Sequence, residues 1–503
     1  MMDHLAVLPI ILPMFCGALL LLMGPRRLQL RRRLGLLATL LQLPLAMLLM
    51  GQASAGVQVY AAGNWLPPFG IILVVDHLAA LMLLVSAVLA AAAMLYAVRG
   101  SDALGAHFHA LFQFQLMGIN GAFLTGDLFN LFVFFEILLI ASYALLLHGA
   151  GSARVRSGLH YVLLNLFGSA LFLIAVGTLY GVTGTLNMAD LSQRVAQLPP
   201  ADVPLVGTAA MLLLVVFGLK AAVFPLYFWL PRAYAAATPP VAALFAIMTK
   251  VGIYSILRVY LQVFGETAAG PLAQLANTWL WPAGLLTMLL GSLGALAAST
   301  LNGLVAYLLL VSVGTLLAGV ALHSQAALVG SLYYLVHSTW ICGALFLLAG
   351  VLSDCRGRRF VGRLVPGPAL PRPMLLSGLF FLAAISVIGL PPLSGFVGKL
   401  LLLRAAGTGV AAAWFYGLLL GSGLLAIVTL SRAGSTLFWR IDAAAAPGQA
   451  LDRVCLLAAS SLLLCSLLLV VFAEPLLGYL DATATQLLEP AAYTRQVLEG
   501  GRP

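Results

Sequence analysis

The stretch Leu219–Pro231, LKAAVFPLYFWLP, sets a lysine and a proline inside an apolar run long enough to cross a bilayer, and Val387–Leu401, VIGLPPLSGFVGKLL, repeats the combination. A proline removes a backbone donor and frees a carbonyl, which a membrane interior tolerates mainly where buried protein or a hydrated cavity satisfies it. Pro225, and Pro391 with Pro392, therefore mark two helices broken at membrane depth, each beside a buried cation. Counting apolar runs along the chain makes these the seventh and twelfth spans. A unit of five helices is odd, so its repetition inverts the topology, as in many secondary transporters. The pattern predicts two half-channel repeats, over 107–264 and 273–431.

Working outward, the 503 residues are 62% hydrophobic and 8% charged, with a mean hydropathy of +1.08, which excludes a soluble domain. The runs lack the alternation of an outer-membrane barrel. They predict an all-α polytopic membrane protein of about 14 transmembrane helices, with residues 1–503 forming a single integral membrane domain. The spans fall near 5–24, 34–53, 71–97, 107–124, 128–148, 158–182, 205–231, 240–264, 273–298, 301–322, 326–352, 374–404, 409–431 and 454–480. The first run has no basic region before it and no small-residue cleavage site after it, so it reads as a retained helix. The five cysteines show no metal-ligand spacing and read as reduced. The net charge of +10 follows the loops. Seventeen arginines, Arg26 and Arg358 among them, fall in odd-numbered loops, against only Arg194, Arg404, Arg495 and Arg502 on the other side. That bias places both termini outside the cytoplasm and makes the bilayer, not nucleic acid, the partner of the charge.

All three lysines, Lys220, Lys250 and Lys399, lie within spans, and every positive charge outside the spans, with histidine taken as neutral, is an arginine. Lysine releases its proton when desolvated whereas arginine effectively does not, so this division points to titration at depth. Glu136 is an isolated carboxylate in the fifth span, and an unpaired charge there costs several kcal/mol. Lys220 is its expected partner. His337 is the midspan histidine, suited to relay work near neutral pH. Tyr227, Thr249, Ser312 and Ser394 are candidates for carrying bridging waters. Asp76 and Asp127 sit at helix starts, where a channel-mouth or N-cap role is expected. No catalytic constellation, metal-ligand cluster or cofactor fingerprint accompanies this row.

Three segments carry a family resemblance: HFHALFQFQLMGINGAFLTGDLFNLFVFFEILLIASYALLLHG, LKAAVFPLYFWLPRAYAAATPPVAALFAIMTKVGIYSILR and GLPPLSGFVGKLLLL. They resemble the D subunits of the Mrp-type multisubunit cation/proton antiporters, relatives of the antiporter-like subunits of respiratory complex I. The resemblance implies inverted five-helix repeats and a relay of Glu136, Lys220, Lys250, His337 and Lys399. It implies a secondary transporter subunit, not an enzyme, working with other subunits in a bacterial plasma membrane and exchanging cytoplasmic Na+ for H+. The alternative is a proton-pumping membrane subunit of complex I, a membrane-bound hydrogenase or formate hydrogenlyase. Two departures stand out: Cys342 where complex I relatives often carry a lysine, and Tyr227 where they carry a histidine. Either water bridges His337 to Lys399, or the second half-channel conducts less. The short tail after residue 480 argues against the larger A-type subunits.

Overall fold

The computed structural model describes residues 2–24, 27–266, 268, 270–442 and 448–499, so Arg26, Arg502 and the chain ends lie outside the described residues, as does the Arg358 side chain. Helices α1 (Leu8–Leu22) and α2 (Leu28–Ala55) lead into a hairpin of β1 (Gln58–Ala61) and β2 (Ile72–Val75), then α3 (His77–Ala97), α4 (Phe108–Leu124) and α5 (Leu128–Leu147). The long α6 (Ser152–Thr183) is followed by a short α7 (Met188–Ala196) and by α8 (Val203–Ala221) and α9 (Trp229–Ala236), the two sides of the first break. Next come α10 (Pro239–Phe245), α11 (Met248–Leu257) with a π-helical turn over Arg258–Val263, α12 (Asn277–Ala297), α13 (Leu301–Ala321) and α14 (Gln325–Arg356). The second break separates α15 (Pro373–Ile388) from α16 (Ser394–Ala405), and α17 (Val410–Phe438), α18 (Arg453–Val471), α19 (Ala473–Leu488) and α20 (Pro490–Glu499) complete the chain.

Among the described residues, twelve helical stretches are long and apolar enough to cross a membrane. The two remaining expected spans are α4, with 17 residues, and the interrupted α15–α16. The chain is a multi-pass membrane protein. Several boundaries shift from the sequence reading, and at two of them the local structure changes as well. Ile72–Val75, expected inside the third span, is a β-branched strand paired antiparallel with Gln58–Ala61, and the helix starts only at His77. The last span ends at Val471, and the chain turns at Phe472 into α19 and then α20, which packs on α7. The polar 183–204 connection also contains α7, started by the Asn187 side chain and braced by the Asp190–Arg194 pair.

The helices start where their caps allow. Asp76 accepts from the Ala79 amide and Asp127 from the Asn130 amide, so both carboxylates hold the N-cap places expected of them. Pro13, inside α1, offers no amide to the Pro9 carbonyl four residues earlier. That carbonyl is taken by Asn120 of α4 at 2.8 Å, with Gln42 of α2 at 3.5 Å, so a proline kink becomes a lock between three helices. At the centre lie the Pro239–Val263 stretch and α14, buried on every side, while α2, α6, α17 and α18 turn apolar faces outward. Lys250 and His337 sit on those two central elements.

Candidate functional site

Glu136 projects from α5 toward α6, where its carboxylate accepts a very short hydrogen bond from the Ser169 hydroxyl. Lys220, 4% exposed at the end of α8, donates to the same hydroxyl oxygen at 3.4 Å and to the Asn165 carbonyl at 3.4 Å. A serine hydroxyl has one proton to donate and two lone pairs to accept with. Ser169 can therefore donate toward Glu136 while accepting from the ammonium, and it can also turn to the Asn165 carbonyl at 3.0 Å. The expected carboxylate–amine pair thus runs through a hydroxyl. The Phe135 ring, 5.8 Å from the Lys220 nitrogen, faces the cation as well. The Asn165 Oδ1 atom beside it is buried with no hydrogen-bond partner among the described residues, a place suited to an ordered water.

Lys250 is completely buried on α11 and donates to the Ser312 hydroxyl of α13 at 3.3 Å. Gly252, on the same helix, lets the backbones of α8 and α11 meet, since a Cβ there would lie 2.6 Å from the Ala221 amide nitrogen. The two helices carrying Lys220 and Lys250 are in this way packed directly together. His337 places its Nδ1 2.8 Å from the Ser394 hydroxyl, which lies 2.6 Å from Ser466, itself 2.9 Å from Ser386. Three hydroxyls from α16, α18 and α15 therefore extend from the imidazole toward the second break. Gly395 is required there, because a Cβ would overlap the Ser386 carbonyl oxygen and stand 2.9 Å from His337 Nε2.

The two breaks solve the same backbone problem with different groups. At the first, Ala222 adopts a left-handed conformation, and the Trp229 indole donates to the Leu219 carbonyl at 3.1 Å. At the second, the Lys399 amine donates to the Ile388 carbonyl at 2.7 Å and to that of Val387 at 3.4 Å, carbonyls at the C-terminal end of α15. A cation at a helix C-terminus is favoured by the exposed carbonyl dipoles. Lys399 also borders a cleft of about 260 Å³ formed with α17, where Leu420, Gly423 and Leu424 are its neighbours. The cleft at the first break, about 160 Å³, is bordered by Met211, Phe224, Pro225 and Trp279 and holds no lysine. Lys220 is turned the other way, into the bundle. Lys220 precedes its break, on a helix face packed against α6, whereas Lys399 follows its own.

Ser312 and Ser394, expected as carriers of bridging waters, bond directly to Lys250 and His337. Thr249 donates to the Ala246 carbonyl of its own chain segment, and Tyr227 stacks on Phe228, with ring centroids 4.5 Å apart, so neither contacts a buried amine. Ser169, Asn165, Ser386 and Ser466 escaped the sequence reading, for a lone serine in an apolar run is indistinguishable from a packing residue. Also missed was a second buried charge pair. Arg258, 2% exposed, donates from both terminal nitrogens to Asp76 and from Nε to the Tyr254 hydroxyl at 2.8 Å. Tyr493 of α20 lays its ring 5.6 Å from the guanidinium. The signal available was that Asp76 and Arg258 are each charges without a local partner, but they stand 182 residues apart.

Comparison with known proteins places these features. Residues 125–429 match the family described as NADH:quinone oxidoreductase/Mrp antiporter, TM. The chain is 44% identical to the D subunit of a probable K(+)/H(+) antiporter from Rhizobium meliloti, an alignment covering 100% of this chain and 98% of the relative. It is 38% identical to the D subunit of the Na(+)/H(+) antiporter from Bacillus subtilis, covering 99% and 100%. A chain of the Mrp complex from Dietzia sp. superposes with a TM-score of 0.87 at 28% identity, covering 99% of both chains.

Proposed function

The chain belongs to the NADH:quinone oxidoreductase/Mrp antiporter family as a D-type subunit, and from this premise we propose that it carries the protons of a multisubunit monovalent cation/proton antiporter along its buried row. It is a transporter subunit within a hetero-oligomeric membrane complex, not an enzyme. In the proposed cycle a proton reaching the Glu136–Ser169–Lys220 cluster neutralises the carboxylate, which loosens its hold on the ammonium and lets Lys220 release a proton toward Lys250. Charge then passes by way of Ser312 and His337 into the Ser394–Ser466–Ser386 hydroxyls and arrives at Lys399, with waters closing the intervals between the hydrogen-bonded groups. Residues 107–264 and 273–431 act as two inverted half-channels. The equal 32-residue lengths of α6 and α14, five spans apart, support that division. The arginine bias supports a plasma-membrane orientation with both termini outside the cytoplasm. Moving one charge across 100 mV is worth about 2.3 kcal/mol, a scale that a lysine shifting its proton affinity by one to two pKa units can match.

The single observation that carries this reading is the Ser169 hydroxyl shared by Glu136 and a buried Lys220 amine. The test is cation-dependent proton exchange in everted vesicles from a strain lacking its own sodium antiporters and supplied with the entire operon. Glu136→Ala and Lys220→Ala should each abolish exchange with Na+ or K+ while the complex still assembles. Exchange at the wild-type rate by either variant would overturn the assignment.

A further inference from the structure

Arg156 and Arg232 are exposed basic residues, and with His160 and Ser152 they border a cleft of about 570 Å³ between α6 and the chain at α9. Ser152, Arg156 and His160 are spaced four apart and so share one face of α6 over about 12 Å of its axis. Arg232 reaches the same space from the opposite wall. Neighbouring Arg154 spends its guanidinium on the Ala236 and Ala150 carbonyls, both at 3.0 Å. Arg156, Arg232 and His160, by contrast, have no hydrogen-bond or carboxylate partner among the described residues.

Beside this polar stripe runs an apolar one. Val155, Leu159, Leu163 and Phe167 are 57%, 61%, 57% and 64% exposed and repeat at the same helical spacing, one residue out of phase with the polar positions. From Val155 to Phe167 the stripe extends about 18 Å, comparable to an acyl chain. Two unpaired guanidiniums at a membrane-helix end match an anionic phosphate, and the adjoining apolar track matches the tail that a free phosphate would lack. We propose that this cleft binds an anionic phospholipid, its phosphate between Arg156 and Arg232 and one acyl chain along α6. Because α6 also carries Asn165 and Ser169, the lipid would be seated on the helix that holds Lys220 and Glu136.

The test uses the complete purified complex in phosphatidylcholine nanodiscs titrated with phosphatidylglycerol, with retained lipid counted by native mass spectrometry. The double variant Arg156→Ala/Arg232→Ala should lose one bound phosphatidylglycerol, with affinity at that site about thirtyfold weaker from the loss of two surface arginines. Inorganic phosphate at millimolar concentration should not displace the lipid. Unchanged retention in the double variant, or displacement of the lipid by phosphate alone, would overturn the proposal. If the double variant does not assemble, photoactivatable phosphatidylglycerol on the wild-type complex should label residues 152–167 and 228–236. A wild-type complex in which those peptides stay unlabelled, because another subunit covers them, would also overturn it.

Discussion

Ser169→Ala removes one oxygen from the Glu136–Lys220 cluster, and the loss falls on both charged groups. Lys220 would keep the Asn165 carbonyl at 3.4 Å and the Phe135 ring at 5.8 Å, but lose its hydroxyl acceptor, and Glu136 would lose its short donor. A hydrogen bond to a charged group is worth roughly 1.5–3 kcal/mol net, and a buried charge stripped of a partner is penalised further. Taking about 2 kcal/mol as the part expressed in the barrier for passing a proton from the cluster, the exchange rate should fall about thirtyfold. The side chain is small and α6 keeps its backbone bonds, so assembly and yield should be near those of the unaltered complex. The assay is dequenching of a pH-sensitive dye in everted vesicles on addition of Na+ or K+, normalised to the amount of assembled complex. Ser169→Thr, which restores the hydroxyl, should recover most of the rate. If the alanine variant exchanged protons as fast as the unaltered complex, the hydroxyl would be a packing group and the coupling of Glu136 to Lys220 would have to run by another route.

Lys399→Arg should fail in the same assay, because a guanidinium keeps its charge across physiological pH and cannot pass a proton on; retained exchange would mean that only a fixed cation is needed at the α15 carbonyls. Arg258→Ala should destabilise the subunit by roughly 3–5 kcal/mol by leaving buried Asp76 unpaired, and Arg258→Ala/Asp76→Ala should regain part of this. Thermal release of the subunit from the complex measures both, and a single variant as stable as the unaltered protein would contradict the buried pair. Burial alone would raise the Asp102 carboxyl, but bonds from Arg32 at 2.6 and 2.8 Å and from His109 at 3.0 Å outweigh it and hold the pKa at about 2, below the ordinary 3.8. Its contribution is therefore present above the ordinary value and is lost as pH falls through about 2. Asp102→Asn should be less stable at neutral pH, by about 2 kcal/mol at most, and the difference should shrink as acid is added; a pH-independent difference would show that the charge is not what matters.

Apolar run length determines the spans because lipid penalises exposed backbone and charge wherever they occur, whatever the partners. For that reason the fourteen-span count, the two proline breaks and the isolation of Lys220, Lys250, Lys399, His337 and Glu136 were legible in the chain. The N-caps at Asp76 and Asp127 were legible too, since capping is a local contest between a side chain and the next few amides. Contacts between spans were not, because they depend on which face of each helix meets which neighbour. Nothing local in the sequence distinguishes Ser169, which bridges a carboxylate and an amine, from Thr249, which serves its own backbone. The same limit hid Ser466, which reaches Ser394 across 72 residues, and Arg258, which finds Asp76 across 182. The strand at Ile72–Val75 was absorbed into the third span because a short β-branched run and a buried helix end have the same hydropathy. The amino-acid order thus determined which groups lie at membrane depth, and the packing of α5, α6, α8, α11, α14 and α16 decided which of them touch, because burial is a property of composition and hydrogen bonding is a property of position.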